Sequence, residues 1–169
     1  TLNVELPEEL EMDGNPQVAL NLAANSEKTL SFNLVPGAEA MDKTNPIAVR
    51  YRWNNSEKST LTKLDLPPAI SVQKLLYGHS PKVNYPVSVH NFTNNLSFPV
   101  VVEVFSDNQF DEPVFATTKT CRAAKGTYEK MNVDLEVPEG KFNVRVKTLG
   151  QEMISQLGVG EPEGSLFVY

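Results

Sequence analysis

The sequence has few of the residues that build catalytic, metal or disulfide sites. It contains one cysteine, Cys121, and two histidines among its 169 residues. A single cysteine excludes an internal disulfide and any zinc site made of several thiolates. Two histidines leave little for acid–base chemistry, and no G-x-S-x-G elbow or phosphate-binding glycine loop occurs. We therefore predict that the protein is not an enzyme and has no cofactor, with one weak calcium hypothesis described below.

The chain also lacks an excess of positive charge and a long apolar run. Its 15 Lys and Arg residues stand against 21 Asp and Glu residues, which gives a formal net charge of −6. This balance opposes binding to the phosphates of nucleic acid. No apolar run approaches the roughly 18 residues of a membrane helix. We expect the partners to be other protein domains or cell-surface components, without nucleic acid and without a membrane span in this segment.

Apolar residues that alternate with polar ones dominate the second half of the chain. This period of two is typical of strands that bury one face. The segments recur roughly every 10 to 15 residues, with no helical period between them, which indicates an immunoglobulin-like sandwich. Pro138-Glu139-Gly140 is predicted to join the last two of these strands in a tight hairpin. The residues after them fit either a further strand or one helical turn. The predicted strands are 70–75, 83–89, 98–105, 114–120, 131–137 and 142–146.

The first half shows fewer strands and ends at two prolines. Pro67 and Pro68 interrupt a sheet because neither can donate a backbone hydrogen bond. We therefore predict two domains, an immunoglobulin-like β unit over 1–67 and an immunoglobulin-like β-sandwich over 68–169. A polar turn is predicted over 54–59. The predicted strands of the first unit are 2–6, 18–22, 30–34, 47–53 and 61–66.

The opening of the chain suggests that the first unit is incomplete. The sequence begins at Thr1, without an initiator Met, and a strand starts at Leu2 with no lead-in. Five strands are few for an independent sandwich. We therefore interpret the first unit as the C-terminal part of a sandwich. Its missing strands would lie upstream or come from another chain, by strand pairing or as a homodimer, and an interior position of residues 2–6 would contradict this.

Three segments resemble known immunoglobulin-like modules. Residues 85–105 resemble the V-x-V-x-N strand, turn and V-x-V-x-V strand of CARDB-like and S-layer-associated modules of prokaryotic surface proteins, with Asn91 at the recurring asparagine. Residues 137–146 are similar to the penultimate strand of that family, and residues 22–36 to an earlier segment. The resemblance implies a surface-exposed or secreted modular protein without enzymatic activity. It carries over no catalytic residue.

One loop and one strand carry candidate binding residues. In the loop after residue 105, Asp107, Asn108, Asp111 and Glu112 offer oxygen ligands of the kind that calcium prefers. The alternative is a solvated turn, which favours the same residue types. Tyr51 and Trp53 lie on one face of the fourth predicted strand, 47–53. They could stack on a sugar ring, although core packing is the more common fate of such residues.

The predicted function is structural and adhesive. We expect a non-catalytic module of a larger extracellular or cell-surface protein, which spaces domains or contacts a partner through sheet edges and loops. The alternatives are a carbohydrate-binding accessory module of a secreted hydrolase, which exposure of Tyr51 and Trp53 would favour, and a peptide-recruiting appendage domain. Three N-x-S/T sequons, at Asn54, Asn91 and Asn95, suit the exposed loops of a secreted protein.

Overall fold

The computed structural model describes residues 1–78, 82–106 and 108–160. These residues form two compact units that divide after Pro68. Apart from one 3-10 turn at Ala38–Ala40, all regular structure among them is β-strand. The predicted all-β fold class is therefore confirmed. Asp107, one residue of the predicted calcium site, lies outside the described residues.

The first unit contains two antiparallel sheets over a small core. Its core consists of the buried Val4, Leu10, Ala40 and Ile47, with partly buried apolar residues around them. The larger sheet has the strand order β3-β1-β5-β6, and β2 pairs with β4 in the smaller sheet. The strands are β1 (Leu2–Glu5), β2 (Leu10–Asp13), β3 (Gln17–Val18), β4 (Asn33–Pro36), β5 (Thr44–Trp53) and β6 (Ser56–Asp65).

Several predicted boundaries of the first unit are wrong. The strand predicted over 18–22 is reduced to the two residues Gln17–Val18, so Val18 alone of the predicted residues is in a strand. The strand predicted over 30–34 begins only at Asn33. Alternation alone does not form a strand where no neighbouring strand is available to pair. The polar turn predicted over 54–59 is only two residues long. Asn54 and Asn55 take φ values of 44° and 62°, which is the left-handed pair that a tight two-residue hairpin requires.

The opening strand β1 is an interior strand. It pairs with β3 through Leu2 and Asn3, and with β5 over its whole length. From the sequence, the first unit is interpreted as part of a sandwich whose missing strands would pair with residues 2–6. That interpretation requires one free side on β1, and the pairing on both sides contradicts it. Among the described residues, the long edge of this sheet is β6, a strand of ten residues at the other end of the strand order.

The second unit is a sandwich with immunoglobulin-like topology. β7, β9 and β12 form one sheet, and β10, β13 and β14 lie at the centre of the other. These are the A-B-E and C-F-G sets of an immunoglobulin sandwich. The strands are β7 (Ile70–Val72), β8 (Leu75–Gly78), β9 (Lys82–His90), β10 (Ser97–Phe105), β11 (Phe115–Arg122), β12 (Tyr128–Glu136), β13 (Gly140–Thr148) and β14 (Gln151–Val159).

Three connections of the second unit differ from the prediction. The opening strand is split, because β7 pairs with β9 whereas β8 pairs in parallel with β14 of the other sheet. Pro138-Glu139-Gly140 carries the chain from one sheet to the other and makes no hairpin, although Gly140 does take a positive φ of 151°. The last hairpin turns instead at Leu149 and Gly150, with φ values of 49° and 76°. The residues that fitted either strand or helix form β14.

Asn91 organises the corner that follows β9. It is fully buried, and its side-chain amide donates to the carbonyls of Asn95 and Ala123, both at 2.8 Å. Its Oδ1 accepts from the backbone N–H and the hydroxyl of Thr93, both at 2.9 Å. The asparagine singled out by the resemblance therefore has a structural role, which is to satisfy the backbone groups of the turn after the strand.

Candidate functional site

The hairpin of β5 and β6 carries Tyr51 and Trp53 away from the core. Ile47, Tyr51 and Trp53 point to the same face because strand residues alternate. Ile47 is 9% exposed and belongs to the core, whereas Tyr51 is 42% and Trp53 is 59% exposed. The hydrophobic cluster of the first unit forms around Ile47 and includes neither aromatic residue. Their expected alternative fate, burial in the core, is therefore not what the structure shows.

Hydroxyl groups and one cation share the face of the two aromatic side chains. Residues that oppose each other in an antiparallel pair lie on the same face. Tyr51 opposes Lys58, and Trp53 opposes Ser56. By the same alternation Thr60 also lies on this face. We call this set, Tyr51, Trp53, Ser56, Lys58 and Thr60, the aromatic face.

The carboxylates near the hairpin lie on its opposite face. Arg52 Nη2 is 3.0 Å from Glu57 Oε2, and Arg50 Nε is 3.1 Å from Glu5 Oε2. Lys58 is consequently the one charged residue that β5 and β6 place on the aromatic face. An aromatic ring can stack on the C–H face of a sugar, hydroxyl groups can hydrogen-bond it, and an ammonium group favours an anionic substituent.

In the part of the chain that the structure describes, β6 has a strand neighbour on one side only, and its other side forms the edge of the sheet. The N–H of Arg52 donates to the carbonyl of Thr1 at 2.9 Å, and its carbonyl accepts from the terminal ammonium of Thr1 at 3.2 Å. Arg52 thus bonds toward the β1 side, so the residues next to it on β5 bond toward β6. The residues of β6 that oppose these neighbours therefore direct their own N–H and C=O groups back toward β5. Glu57, Ser59, Leu61 and Lys63 therefore direct their N–H and C=O groups outward.

The residues of the predicted calcium site do not converge in the described part of the loop. Asn108 Oδ1 accepts a hydrogen bond from Asn143 Nδ2 at 2.8 Å, whereas Asp111 and Glu112 are exposed. Among residues 1–78, 82–106 and 108–160, no three histidine, cysteine or acidic side chains could together hold a metal ion. Because Asp107 lies outside these residues, the calcium site stays a prediction.

The loop after β10 instead packs an aromatic residue on the outer face of the sheet. Phe110 contacts Phe105 edge-on, with ring centroids 5.0 Å apart, and the guanidinium of Arg145 lies 4.7 Å from the centre of the Phe105 ring. Arg145 Nε also donates to Glu103 at 2.8 Å, and Lys147 Nζ is 3.0 Å from the same oxygen. This cluster explains why Phe105 is fully buried on the face that alternation assigns to solvent.

Glu103 is ionised in this cluster. Burial by itself would raise its pKa, but the hydrogen bonds and positive charges of Arg145 and Lys147 outweigh burial and hold the pKa below its usual value. Glu103 thus offsets one of the two positive charges. Arg145 also lies over the rings of Phe105 and Phe110 and so links the loop to the sheet, which the sequence pattern did not indicate.

The pKa values of Cys121 and His90 are both shifted in the direction that favours the neutral side chain. Burial raises the pKa of the Cys121 thiol, and the charge of Glu129 raises it further. Burial lowers the pKa of His90 and outweighs a backbone hydrogen bond with Gly126, which raises it. The His90 ring stacks on the ring of Tyr128, with centroids 4.6 Å apart. A thiol with a raised pKa is the opposite of an activated nucleophile. Neither group is prepared for catalysis.

The fold and these sites define an all-β protein with two units, the second an immunoglobulin-like sandwich. No protein-family model matches the sequence, and no curated protein matches it. Among solved structures, the chain is similar to domains 4 and 5 of the S-layer protein SbsC, at 13% identity and a TM-score of 0.32, over 95% of this chain and 70% of that one. No family model confirms the resemblance to CARDB-like modules. In the described residues, no helix has the length and hydropathy to cross a bilayer.

Proposed function

We propose that the chain is a non-catalytic structural and adhesive module of a cell-surface or secreted protein. It makes its contacts through the outer hairpin, by which we mean residues 50–63 of β5 and β6 with their connecting turn. The supporting observation is the exposure of this hairpin. Every residue over 50–63 is exposed, and Trp53 and Leu61 are 59% and 75% exposed. Large apolar side chains that contribute little to their own core are suited to binding a partner.

A shortened hairpin tests this proposal. Deleting residues 50–53 and 56–59 leaves the Asn54-Asn55 turn between Val49 and Thr60, which already oppose each other. The core residues remain, so we expect the first unit to fold with a loss of no more than about 2 kcal/mol in the free energy of unfolding. Binding in both assays described below should disappear. A shortened chain whose first unit folds and that still binds would show that the outer hairpin is not the contact element.

The exposure of the two aromatic residues favours a second candidate function, carbohydrate binding. Tyr51 and Trp53 stand two residues apart on one strand, roughly 7 Å along its axis, so their rings are placed for neighbouring units of a saccharide chain. Lys58 is the one charge of β5 and β6 on the aromatic face. We therefore favour an anionic saccharide, such as a uronic acid polymer, over a neutral one.

Affinity electrophoresis in gels that contain either polygalacturonate or dextran tests this second candidate. The net charge of the chain is −6, so retention by a polyanion requires a local site rather than general attraction. We expect retention by polygalacturonate alone, about tenfold weaker for Trp53→Ala and about fivefold weaker for Lys58→Gln. These factors correspond to contacts of about 1.4 and about 1 kcal/mol.

Lys28→Gln supplies the matched control for the saccharide assay. Lys28 is an exposed lysine of the first unit outside the hairpin, and its substitution changes the net charge by the same amount. It should leave the retention unchanged. Equal losses for Lys28→Gln and Lys58→Gln, or retention that does not depend on Trp53, would reject the aromatic face as a saccharide site.

A further inference from the structure

The strand β6 is a long edge that neither short length, nor a bulge, nor a proline protects against pairing, and its charged residues are Glu57, Lys58, Lys63 and Asp65. Natural edge strands are commonly shortened, bulged or interrupted by proline. β6 has ten residues, contains no proline, and pairs residue for residue with β5 from Ser56 to Asp65. The opposite edge of the same sheet, β3, has two residues. Within the described residues, β6 is hydrogen-bonded on one side only.

The outward groups of β6 can pair with the same strand of a second copy. A two-fold axis normal to the sheet places the two β6 strands antiparallel, and the same face of each copy then lies on the same side of the joined sheet. Outward residues then oppose outward residues. In the register that sets Thr60 opposite Thr60 of the second copy, Glu57 opposes Lys63 and Ser59 opposes Leu61. By symmetry each of these pairs occurs twice.

Charge distinguishes this register from its neighbours. When the strands are centred on Leu61, Glu57 opposes Asp65, and the two carboxylates repel at both ends of the pair. When they are centred on Ser59, Glu57 opposes Leu61, and no opposite charges meet. Directly opposed unlike charges stabilise a strand pair, and like charges destabilise it. Of these three registers, the one centred on Thr60 alone sets unlike charges opposite each other, and it pairs all four outward residues from Glu57 to Lys63.

We propose that the first unit associates with a second copy of this chain by antiparallel pairing of β6 with β6 in the register centred on Thr60. The two four-stranded sheets then continue into one sheet of eight strands. The inference rests on the proposed function, because it uses the same hairpin, and it names the partner. It uses the strand edge, whereas the saccharide would occupy the aromatic face, so the two contacts can be tested separately.

Sedimentation velocity across a concentration series measures the association. Pairing through a single edge strand buries a small interface and is therefore weak, so the protein concentration in the series should reach roughly several hundred micromolar. Glu57→Lys and Lys63→Glu each place like charges opposite one another twice, and we expect each to weaken the dimer at least tenfold. An equimolar mixture of the Glu57→Lys chain with the Lys63→Glu chain should form a heterodimer, because both opposed pairs are then unlike. Only direct pairing in this register predicts that rescue.

Two further variants serve as block and control. Ser59→Pro removes an outward N–H without removing a bond to β5, and it should abolish the dimer while the thermal melt of the chain is retained. Lys58→Glu changes the charge as Lys63→Glu does, but Lys58 opposes Thr62 in this register, so the dimer should persist although saccharide retention is lost. A wild-type chain that stays monomeric, a Ser59→Pro chain that dimerises, or a mixture without rescue would overturn the inference. Saccharide retention by a monomeric wild type would reject it while the proposed function stands.

Discussion

Replacement of the buried Asn91 by alanine should destabilise the second unit strongly. Its side chain makes four hydrogen bonds, and three of its partners are backbone groups of the corner after β9. Alanine cannot make any of these bonds. The donated bond to Ala123 is itself buried, so water does not readily replace the lost partner. The corner would keep its chain path only with unsatisfied backbone groups.

The magnitude follows from the number of bonds and their burial. A typical hydrogen bond contributes about 1 kcal/mol net, and a buried group left without a partner costs about 1–3 kcal/mol. With some rearrangement of the partly buried groups, we expect a loss of about 3–4 kcal/mol in the free energy of unfolding. At a urea dependence of roughly 1.5 kcal/mol per M, the unfolding midpoint would fall by about 2–3 M.

Urea unfolding followed by far-UV circular dichroism and by tryptophan fluorescence measures the effect. Trp53 is the one tryptophan and lies in the first unit, so its fluorescence reports on that unit and should show an unchanged midpoint. Asn84→Ala is the matched control, because the exposed side-chain hydrogen bond of Asn84 to Asp134 is 3.3 Å long and its loss should cost under about 0.5 kcal/mol. A loss below about 1 kcal/mol for Asn91→Ala would refute the reasoning.

Three further predictions concern buried polar groups and modification. The hydroxyls of Tyr85 and Ser155 are hydrogen-bonded in the core, so Tyr85→Phe should cost about 1–2 kcal/mol in urea unfolding; since the double variant with Ser155→Ala leaves no orphaned hydroxyl, additive losses would contradict this. The pKa of Glu103 is lowered in the fold, so its ionised form stabilises the fold above the unfolded pKa, and this stability is lost as the pH falls through the folded pKa. The difference in the free energy of unfolding between the wild type and Glu103→Gln should therefore shrink between pH 7 and pH 3. A constant difference would count against the ion pairs. In a glycosylating host, peptide mass spectrometry should find glycan at the exposed Asn54 or Asn95 and none on the buried asparagine of the corner.

Local pattern was sufficient for the strands of the second unit and insufficient for the first. In β9, β12 and β13 the predicted inward residues are buried, apart from the partly buried Met131, because a strand between well-paired neighbours keeps the period of its sequence. Residues 19–22 alternate equally well but pair with nothing, and Leu22 is exposed. Phe105 lies on the outward side of β10, and only the fold of the following loop covers it.

The sequence by itself determined that the protein is all-β and that the chain changes character at Pro67 and Pro68, because alternation and proline act over a few neighbouring residues. The resemblance to known modules singled out Asn91. The tertiary structure alone decided which strands pair, that Pro138–Gly140 crosses between sheets, and that Tyr51 and Trp53 stand outside the core. These features depend on contacts between residues far apart in the chain. A hairpin becomes exposed when the opposing sheet is shorter than it is, and the length of that sheet is not encoded in the hairpin.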